Sequence, residues 1–376
     1  MKVLILSITA GYGHHAAAKS VAGALTEKGV EVESVDVYKS VNKLLYWAVD
    51  KFYLIFTKYT RKPYSAIYNH LATKKRSEKK RHSSGFLTRY CSKRFEKFVA
   101  ESQPDVIVCT HVYASLIIND LKRKNKFTDI PTIGIVTDYT MHPFWDCVPF
   151  TEYVEVANEI VSEEAKALGI EESKILPLGI PIDKKFTKAS EKNDARKALN
   201  LPIDKKIVLV MAGSMGYGDI PSIISDIHKY DKDCLVLAVC GNNKKHYKKL
   251  TSLANNNVKI FTFTENINLF MDAADCIITK PGGLSTSEAI AKELPMIFVN
   301  PIPGHEEKNL QFFTSNNAGI DATGQLKVYD ALYQLFDSPG KLDEIKKQLS
   351  VLAKPNATDD IANFVISICE KDNRSR

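Results

Sequence analysis

A glycine turn late in the chain combines groups that suit the diphosphate and ribose of a nucleotide. Residues 279–288 contain Gly282 and Gly283, followed by Ser285 and Glu288. The glycines leave backbone N–H groups open to an anion, and a helix starting at Ser285 would add its positive end. Glu288 could accept hydrogen bonds from the ribose hydroxyls. However, Ser285 and Glu288 also fit a capping box, in which the glutamate only satisfies a backbone N–H.

A second glycine loop follows the first apolar segment and carries a histidine. Gly11, Gly13 and Ala16 fit the G-x-G-x-x-G/A fingerprint of dinucleotide-binding loops. Asp36 stands where that fingerprint expects a ribose-binding acid. Alternatively, the glycines form a tight turn that presents His14 as a general base, a role for which the pKa of histidine is suited. A packed loop histidine without chemical function is the third interpretation.

Three further polar runs follow apolar segments. Residues 211–218 are glycine-rich and could approach a phosphate. Residues 301–309 supply a carboxylate and an amide for sugar hydroxyls, and residues 136–145 include one of the two tryptophans. A strand-to-helix turn, a solvated loop and core packing are the respective alternatives. The candidate residues of these runs are Gly213, Ser214, Gly216, His305, Glu306, Asn309, Asp138, His142 and Trp145.

The elements that would position these residues alternate between strands and helices. Such alternation predicts an α/β protein with parallel, doubly wound sheets, and two such series predict two Rossmann-like domains. We predict strands at Lys2–Ile8, Val30–Val37, Asp105–Thr110, Thr132–Thr137, Tyr153–Ala157, Ile207–Ala212, Leu235–Cys240, Lys259–Phe263, Cys276–Thr279 and Met296–Asn300. A length of 376 residues accommodates two domains.

The predicted boundary follows a turn at residues 179–183. We therefore expect an N-terminal domain over 1–183 and a C-terminal domain over 184–354. A last helix within residues 355–376 could pack back on the N-terminal domain.

Cysteine usage indicates free thiols. The chain has seven cysteines, none in a C-x-x-C pair, and several stand in apolar runs. This pattern favours buried thiols in a reducing compartment and argues against a zinc site. No apolar run reaches the roughly 20 residues of a spanning helix. The first apolar run is too short for a signal peptide and predicts a buried strand. We therefore expect a cytoplasmic protein.

The positive charge is concentrated in one segment. The net charge is +7, but residues 51–98 hold 14 Lys or Arg against two Glu, a local balance of +12. Apolar and aromatic runs, including Trp47, Phe52 and Phe56, precede the basic clusters. Over residues 44–98 this composition suits an anionic membrane surface, with nucleic-acid binding or a solvated helical face as the alternatives. We favour the membrane, because lipid could then reach the predicted site.

Taken together, these motifs resemble the monogalactosyl- and glucosyl-diacylglycerol synthases. The similarity covers the loop at Gly11–His14, the run Val136–Trp145 and the turn at Gly179–Ile182. It continues through Met211–Gly213 and Val239–Asn243 to Thr279–Glu288 and Pro301–Asn309. It implies two Rossmann-like domains facing across a cleft (the GT-B fold), with the acceptor in the first domain and a UDP-sugar in the second. It also implies an inverting transfer without a metal or other cofactor.

The resemblance assigns roles to individual residues. It implies that His14 is the base and that Glu288 binds ribose. Donor-site roles are also expected for Gly13, Gly213, Ser214, Gly216, Lys280, Gly282, Gly283, Ser285, His305, Glu306 and Asn309. On the acceptor and lipid side we expect Asp138, His142, Trp145, Trp47, Phe52 and Phe56, and the resemblance implies that Trp145 and the basic segment meet lipid. His305 stands where the family usually has Gln, which leaves the choice of sugar open.

The expected reaction moves glucose or galactose from its UDP form to 1,2-diacylglycerol at the inner face of the cell membrane. The expected partners are thus UDP-glucose or UDP-galactose, diacylglycerol and an anionic membrane through residues 44–98, with no nucleic acid. Three alternatives remain: a GlcNAc transferase acting on a lipid-linked peptidoglycan precursor, an NAD-dependent oxidoreductase, and a non-catalytic UDP-sugar sensor at the membrane.

Overall fold

The structure is a computed structural model. It describes residues 1–9, 12–49, 85–211, 219–241 and 244–375, and for residues 244–246 and 371–375 the backbone alone. The chain forms two compact units. Unit 1 comprises residues 1–183, 303–305 and 354–376, and unit 2 comprises residues 184–302 and 306–353.

Unit 1 contains a six-stranded sheet whose paired strands are all parallel. Its strands follow the order β2-β1-β3-β4-β5-β6. Their bounds are β1 Lys2–Ser7, β2 Glu31–Asp36, β3 Val106–Cys109, β4 Thr132–Ile135, β5 Tyr153–Glu155 and β6 Ile175–Leu176. The helices between them are α1 Gly13–Glu27, α2 Val37–Val41, α3 Phe86–Ser102, α4 Val112–Arg123 and α5 Glu159–Ala167. Short 3-10 helices lie at Pro143–Cys147 and Glu172–Lys174.

Unit 2 repeats this plan with the strand order β12-β11-β10-β7-β8-β9, again all parallel. The strands are β7 Ile207–Met211, β8 Leu235–Val239, β9 Val258–Phe261, β10 Cys276–Thr279, β11 Met296–Phe298 and β12 Ile320–Asp321. The helices are α6 Lys192–Ala198, α7 Ile220–Tyr230, α8 Lys244–Leu250, α9 Ile267–Ala273, α10 Gly283–Ala291, α11 His305–Ser315, α12 Val328–Phe336 and α13 Lys341–Leu352. Two 3-10 helices, Lys184–Phe186 and Thr251–Leu253, complete it.

The last helix, α14 (Ala357–Ser375), belongs to unit 1. Its residues Ile361 and Val365 join a buried cluster with Val3 and Ile5 of β1. The hydroxyl of Thr358 donates to the carbonyl oxygen of Ile182 at 2.7 Å. These contacts hold α14 against the sheet of unit 1.

Apolar strands explain why these segments form sheets. The strands at the centre of unit 1 are buried along their length, as expected for parallel strands covered on both faces. One face packs on α1 and α14, and the other carries a cluster that includes Phe95 of α3 and Ile117 of α4. All seven cysteines are free and buried, as predicted.

Candidate active site

His14 lies in the first turn of α1, directly after the strand β1. Its Nδ1 atom is 2.9 Å from the carbonyl oxygen of Thr110, which follows β3. The same atom is 2.8 Å from the hydroxyl oxygen of Thr137, which follows β4. The hydroxyl of Thr110 donates to the carbonyl oxygen of His14 at 3.0 Å. Because the carboxyl ends of parallel strands share one edge of a sheet, three distant segments meet at this ring.

These contacts determine which nitrogen of His14 carries the proton. A carbonyl oxygen can only accept, so Nδ1 must be the N–H donor, and the neutral ring keeps its lone pair on Nε2. Burial lowers the pKa of His14, and the carboxylate of Asp138 opposes that shift. The imidazole is therefore neutral near pH 7 and has a basic nitrogen available.

Other rings surround this histidine. The rings of His14 and His111 meet edge to face with centroids 4.4 Å apart. His111 caps α4, its Nδ1 accepting from the backbone N–H of Tyr113 at 3.1 Å. Burial lowers the pKa of His111 well below its usual value, and His14 and His142 contribute to the shift. Tyr113 in turn lies 6.2 Å from the ring of His142 and 5.7 Å from that of Phe144. The site thus combines neutral imidazoles with aromatic surface.

The carboxylate of Asp36 binds groups of the protein itself around the first loop. It accepts hydrogen bonds from the backbone N–H and the hydroxyl of Thr9 at 2.9 and 2.6 Å, and from the backbone N–H of Lys39 at 2.8 Å. The Nε2 atom of His15 lies 3.2 Å away. Burial opposes ionisation, but the hydrogen bonds of His15, Thr9 and Lys39 outweigh it and lower the pKa of Asp36. These internal contacts weigh against the ribose-binding role on which the NAD alternative depended.

Trp145 corrects one expectation. Its side chain is only 3% exposed. A Cβ atom at Gly134 of β4 would lie 2.4 Å from the indole ring, so the ring packs directly against the strand. The prediction that Trp145 meets lipid is therefore wrong, because the ring is a core residue of unit 1. By contrast, Trp47 is 58% exposed.

The glycine turn of unit 2 joins β10 to α10. The helix begins at Gly283 and its N-cap is Gly282, which has no side chain to cap it. Ser285 therefore lies inside the first turn of α10. The capping-box interpretation is wrong, and so is the expected helix start at Ser285. With the N-cap filled by a glycine, the first backbone N–H groups of α10 are not covered by a capping side chain. Such a terminus favours an anion.

A buried ion pair supports this turn. Glu306 is almost fully buried, and its Oε1 atom pairs with Lys280. Its Oε2 atom accepts the backbone N–H of Ile302 at 2.7 Å. Asn309 is fully buried and donates from Nδ2 to the carbonyl oxygen of Pro281 at 3.0 Å. These bonds tie the loop after β11 to the loop after β10. Contact of Glu306 or Asn309 with a sugar stays a prediction.

Several predicted residues fall outside the described part of the chain, namely Gly213, Ser214, Gly216, Phe52 and Phe56. Glu288 and Ser285 lie half-buried on α10, and His305 opens α11. Gly13 is the first residue of α1. The roles proposed for all of these residues remain predictions.

Three contributors were not predicted from the sequence. Thr110, Thr137 and His111 contact His14 from two other strand ends. Thr110 and Thr137 are the last residues of two predicted strands and His111 directly follows one, which was the available signal. Among the described residues, no three His, Cys, Asp or Glu side chains come together as a metal site. No helix of the described chain is long and apolar enough to cross a bilayer.

Each of the two units matches a known protein family. Residues 14–182 match the family model of monogalactosyldiacylglycerol (MGDG) synthase. Residues 207–361 match the glycosyltransferase family 28 C-terminal domain. The processive diacylglycerol beta-glucosyltransferase of Bacillus licheniformis is 28% identical over 98% of this chain and 95% of its own. Its namesake in Bacillus subtilis is 27% identical over 98% and 96%.

Solved structures share the fold. MurG of Acinetobacter baumannii superposes with a TM-score of 0.64 at 15% identity, covering 97% of this chain and 99% of its own. Os79 of O. sativa superposes with a TM-score of 0.65 at 12% identity, covering 98% and 100%. The two Rossmann-like units have the GT-B fold, and the family 28 match of the second unit identifies a glycosyltransferase. Within that class, the chain is similar along nearly its whole length to the diacylglycerol glycosyltransferases, through an MGDG synthase match in the first unit and a family 28 C-terminal match in the second.

Proposed function

We propose that this enzyme transfers a hexose from a UDP-sugar to the free hydroxyl of 1,2-diacylglycerol, with inversion at the anomeric carbon. The observation that carries the proposal is the hydrogen bond from His14 to the Thr110 carbonyl. That bond leaves Nε2 as a base at the edge of the unit 1 sheet.

The proposed step balances as a single displacement. Nε2 of His14 accepts the proton of the diacylglycerol hydroxyl while its oxygen forms a bond to the anomeric carbon. The bond from that carbon to the diphosphate oxygen breaks, and UDP leaves with the electron pair. A departing diphosphate gains negative charge, which the backbone N–H groups after Gly282 and the ammonium of Lys280 would stabilise.

For the donor we propose UDP-glucose, with UDP-galactose as the tested alternative. The support is that the relatives aligning with 98% of this chain are named beta-glucosyltransferases. The similarity to MurG is one of fold alone, so it does not favour a lipid-linked GlcNAc acceptor. Ribose binding by Glu288 and sugar contact by His305 belong to the same proposal.

For the acceptor side we propose docking on the anionic inner face of the cell membrane. Support comes from the exposed side chains of Leu44 and Trp47, and of Phe86 and Leu87 at the start of α3. The exposed lysines of the same helix, among them Lys93, add positive charge. Apolar and cationic side chains together suit an anionic lipid surface.

The test is incubation with vesicles containing diacylglycerol and one UDP-sugar at a time, with lipid products resolved by mass. We expect glucosyl-diacylglycerol from UDP-glucose and loss of turnover by about 10²- to 10⁴-fold in His14→Gln, the usual contribution of a general base. Transfer only from UDP-GlcNAc to a lipid-linked peptidoglycan precursor would favour the MurG-like alternative. Binding of UDP and vesicles without product would favour a sensor, and binding of NADH without UDP would favour an oxidoreductase.

A further inference from the structure

Nδ1 of His14 has two oxygen neighbours, and the mechanism above uses only one of them. The carbonyl oxygen of Thr110 lies at 2.9 Å and the hydroxyl oxygen of Thr137 at 2.8 Å. If the Thr137 hydroxyl donated to Nδ1, that nitrogen would carry a lone pair. Two lone pairs would then face each other between Nδ1 and the Thr110 carbonyl, which is unfavourable at hydrogen-bond distance. The hydroxyl oxygen therefore accepts a share of the same N–H.

Thr137 is held in place by its surroundings. Its side chain is 7% exposed, so it has little room to change rotamer. The following residues are fixed to α5, where Oε2 of Glu164 accepts the hydroxyl of Thr140 at 3.0 Å and the backbone N–H of Met141 at 2.9 Å. The hydroxyl oxygen that meets His14 is thus part of a fixed loop.

We infer that Thr137 is a positioning residue for the reaction, which fixes the ring of His14 so that Nε2 points its lone pair toward the acceptor hydroxyl. The inference rests on the proposed function of His14. Its role resembles that of a buried acid that orients a catalytic histidine, but it is played by a neutral hydroxyl together with a backbone carbonyl. A neutral partner orients the ring without adding negative charge.

The affinity of His14 for the proton that it gains during the reaction also depends on Thr137. A protonated ring keeps its Nδ1–H, and an acceptor on that N–H stabilises the cation. Removing the hydroxyl therefore makes Nε2 a weaker base. The other titratable groups that act on His14 are Asp138, which favours the cation, and His15 and His305, which oppose it. His111 contacts the ring as well.

The test compares Thr137→Val with Thr137→Ser and with the matched control Thr132→Val. Thr132 is a buried threonine on β4, the strand that precedes Thr137, and its hydroxyl has no hydrogen-bond partner among the described residues. We measure kcat, KM for the UDP-sugar and the pH profile of kcat/KM with diacylglycerol vesicles. Selective ¹⁵N labelling of histidine, with His14→Gln to assign the signal, reports the tautomer.

The wild type should show the tautomer with the proton on Nδ1. Thr137→Val should lower kcat about 3- to 10-fold, which corresponds to the loss of one hydrogen bond. In this variant, the acid limb of the pH profile of kcat/KM should move to lower pH, and KM for the UDP-sugar should stay unchanged. Thr137→Ser should have the kcat and the acid limb of the wild type, and Thr132→Val should match the wild type in both.

Three results would overturn the inference. They are a proton on Nε2 in the wild type, a wild-type kcat and acid limb in Thr137→Val, or an equal loss in Thr132→Val. If His14→Gln is inactive while Thr137→Val behaves as the wild type, the positioning role alone fails and the base remains. Full turnover in His14→Gln would remove the base and the positioning role together.

Discussion

Asn309 donates a hydrogen bond to the carbonyl oxygen of Pro281, and so fastens α11 to the glycine turn that precedes α10. The side chain is fully buried, and the two residues are 28 positions apart in sequence. The conformation of the turn therefore depends on a helix that lies after the next strand.

Asn309→Leu should weaken UDP binding about tenfold, because the turn loses its tie and the Pro281 carbonyl is left without that donor. It should also lower the free energy of unfolding by about 1–3 kcal/mol, the usual cost of a buried unsatisfied group. Titration calorimetry with UDP and urea unfolding measure the two effects. Asn316→Ala is the control, because Asn316, directly after α11, donates an amide-to-carbonyl bond back to Phe312 of that helix. Equal UDP affinity in Asn309→Leu and Asn316→Ala would contradict the prediction.

Gly282→Ala tests how closely the turn approaches the ion pair. A Cβ atom there would lie 3.3 Å from Oε1 of Glu306 and 3.8 Å from Nζ of Lys280. The φ of −85° is open to alanine, so backbone strain is not the cause. We expect UDP affinity to fall about five- to tenfold as the pair is displaced. Gly324→Ala, where a Cβ meets nothing within 4 Å, should bind UDP as the wild type does.

The buried carboxyl group of Glu155 should make the folded protein less stable as pH rises. Its carboxyl group is fully buried, and neither oxygen has a hydrogen-bond partner among the described residues. Burial raises the pKa of Glu155 well above its ordinary 4.5, and the nearby backbone N–H of Gly179 offsets only part of this. Above pH 4.5 the unfolded chain releases the proton while the folded chain retains it, so rising pH favours unfolding.

Glu155→Gln should therefore stabilise the protein, and the gain should grow as pH rises from 5 to 8. Urea unfolding at several pH values measures it. Glu159→Gln serves as the opposite case, because the hydrogen bond from Lys354 lowers the pKa of Glu159. A gain from Glu155→Gln that does not change with pH would show that the carboxyl is not protonated in the folded state.

Membrane docking can be tested on α3. Lys93→Glu combined with Lys97→Glu should reduce binding to anionic vesicles by at least about tenfold, since each basic side chain near such a surface contributes about 1 kcal/mol. Lys346→Glu with Lys347→Glu on α13 changes the net charge equally and should bind as the wild type. Vesicle sedimentation provides the measurement, and high salt should reduce the difference. Equal losses in the two double variants would point to net charge rather than a docking surface.

The sequence predicted the sheets better than the site. Apolar runs such as Cys276–Thr279 match their strands to the residue, because a buried parallel strand has a continuous apolar signature. The edge strands β6 and β12 were missed because each has only two residues. Hydrophobic periodicity and composition cannot indicate a strand of only two residues.

The site depended on contacts that no local pattern encodes. His14 was predicted as a candidate, but its partners Thr110 and Thr137 lie 96 and 123 positions away. Trp145 was expected at lipid from the family resemblance, whereas its ring packs in the space over Gly134. The capping-box prediction was wrong for a different reason. The helix begins at Gly283, two residues before Ser285, and Gly282 occupies the N-cap.

The packing of α14 on β1 has a consequence for the order in which the protein is made. Unit 1 includes segments on both sides of unit 2 in the sequence, so residues 306–353 complete unit 2 before α14 is synthesised. The core of unit 1 includes Ile361 and Val365 of α14 and so cannot close until α14 leaves the ribosome. We expect the proposed donor-binding unit to mature first. A ribosome-stalled chain with residues 1–353 outside the exit tunnel should protect unit 2 from protease and leave unit 1 sensitive.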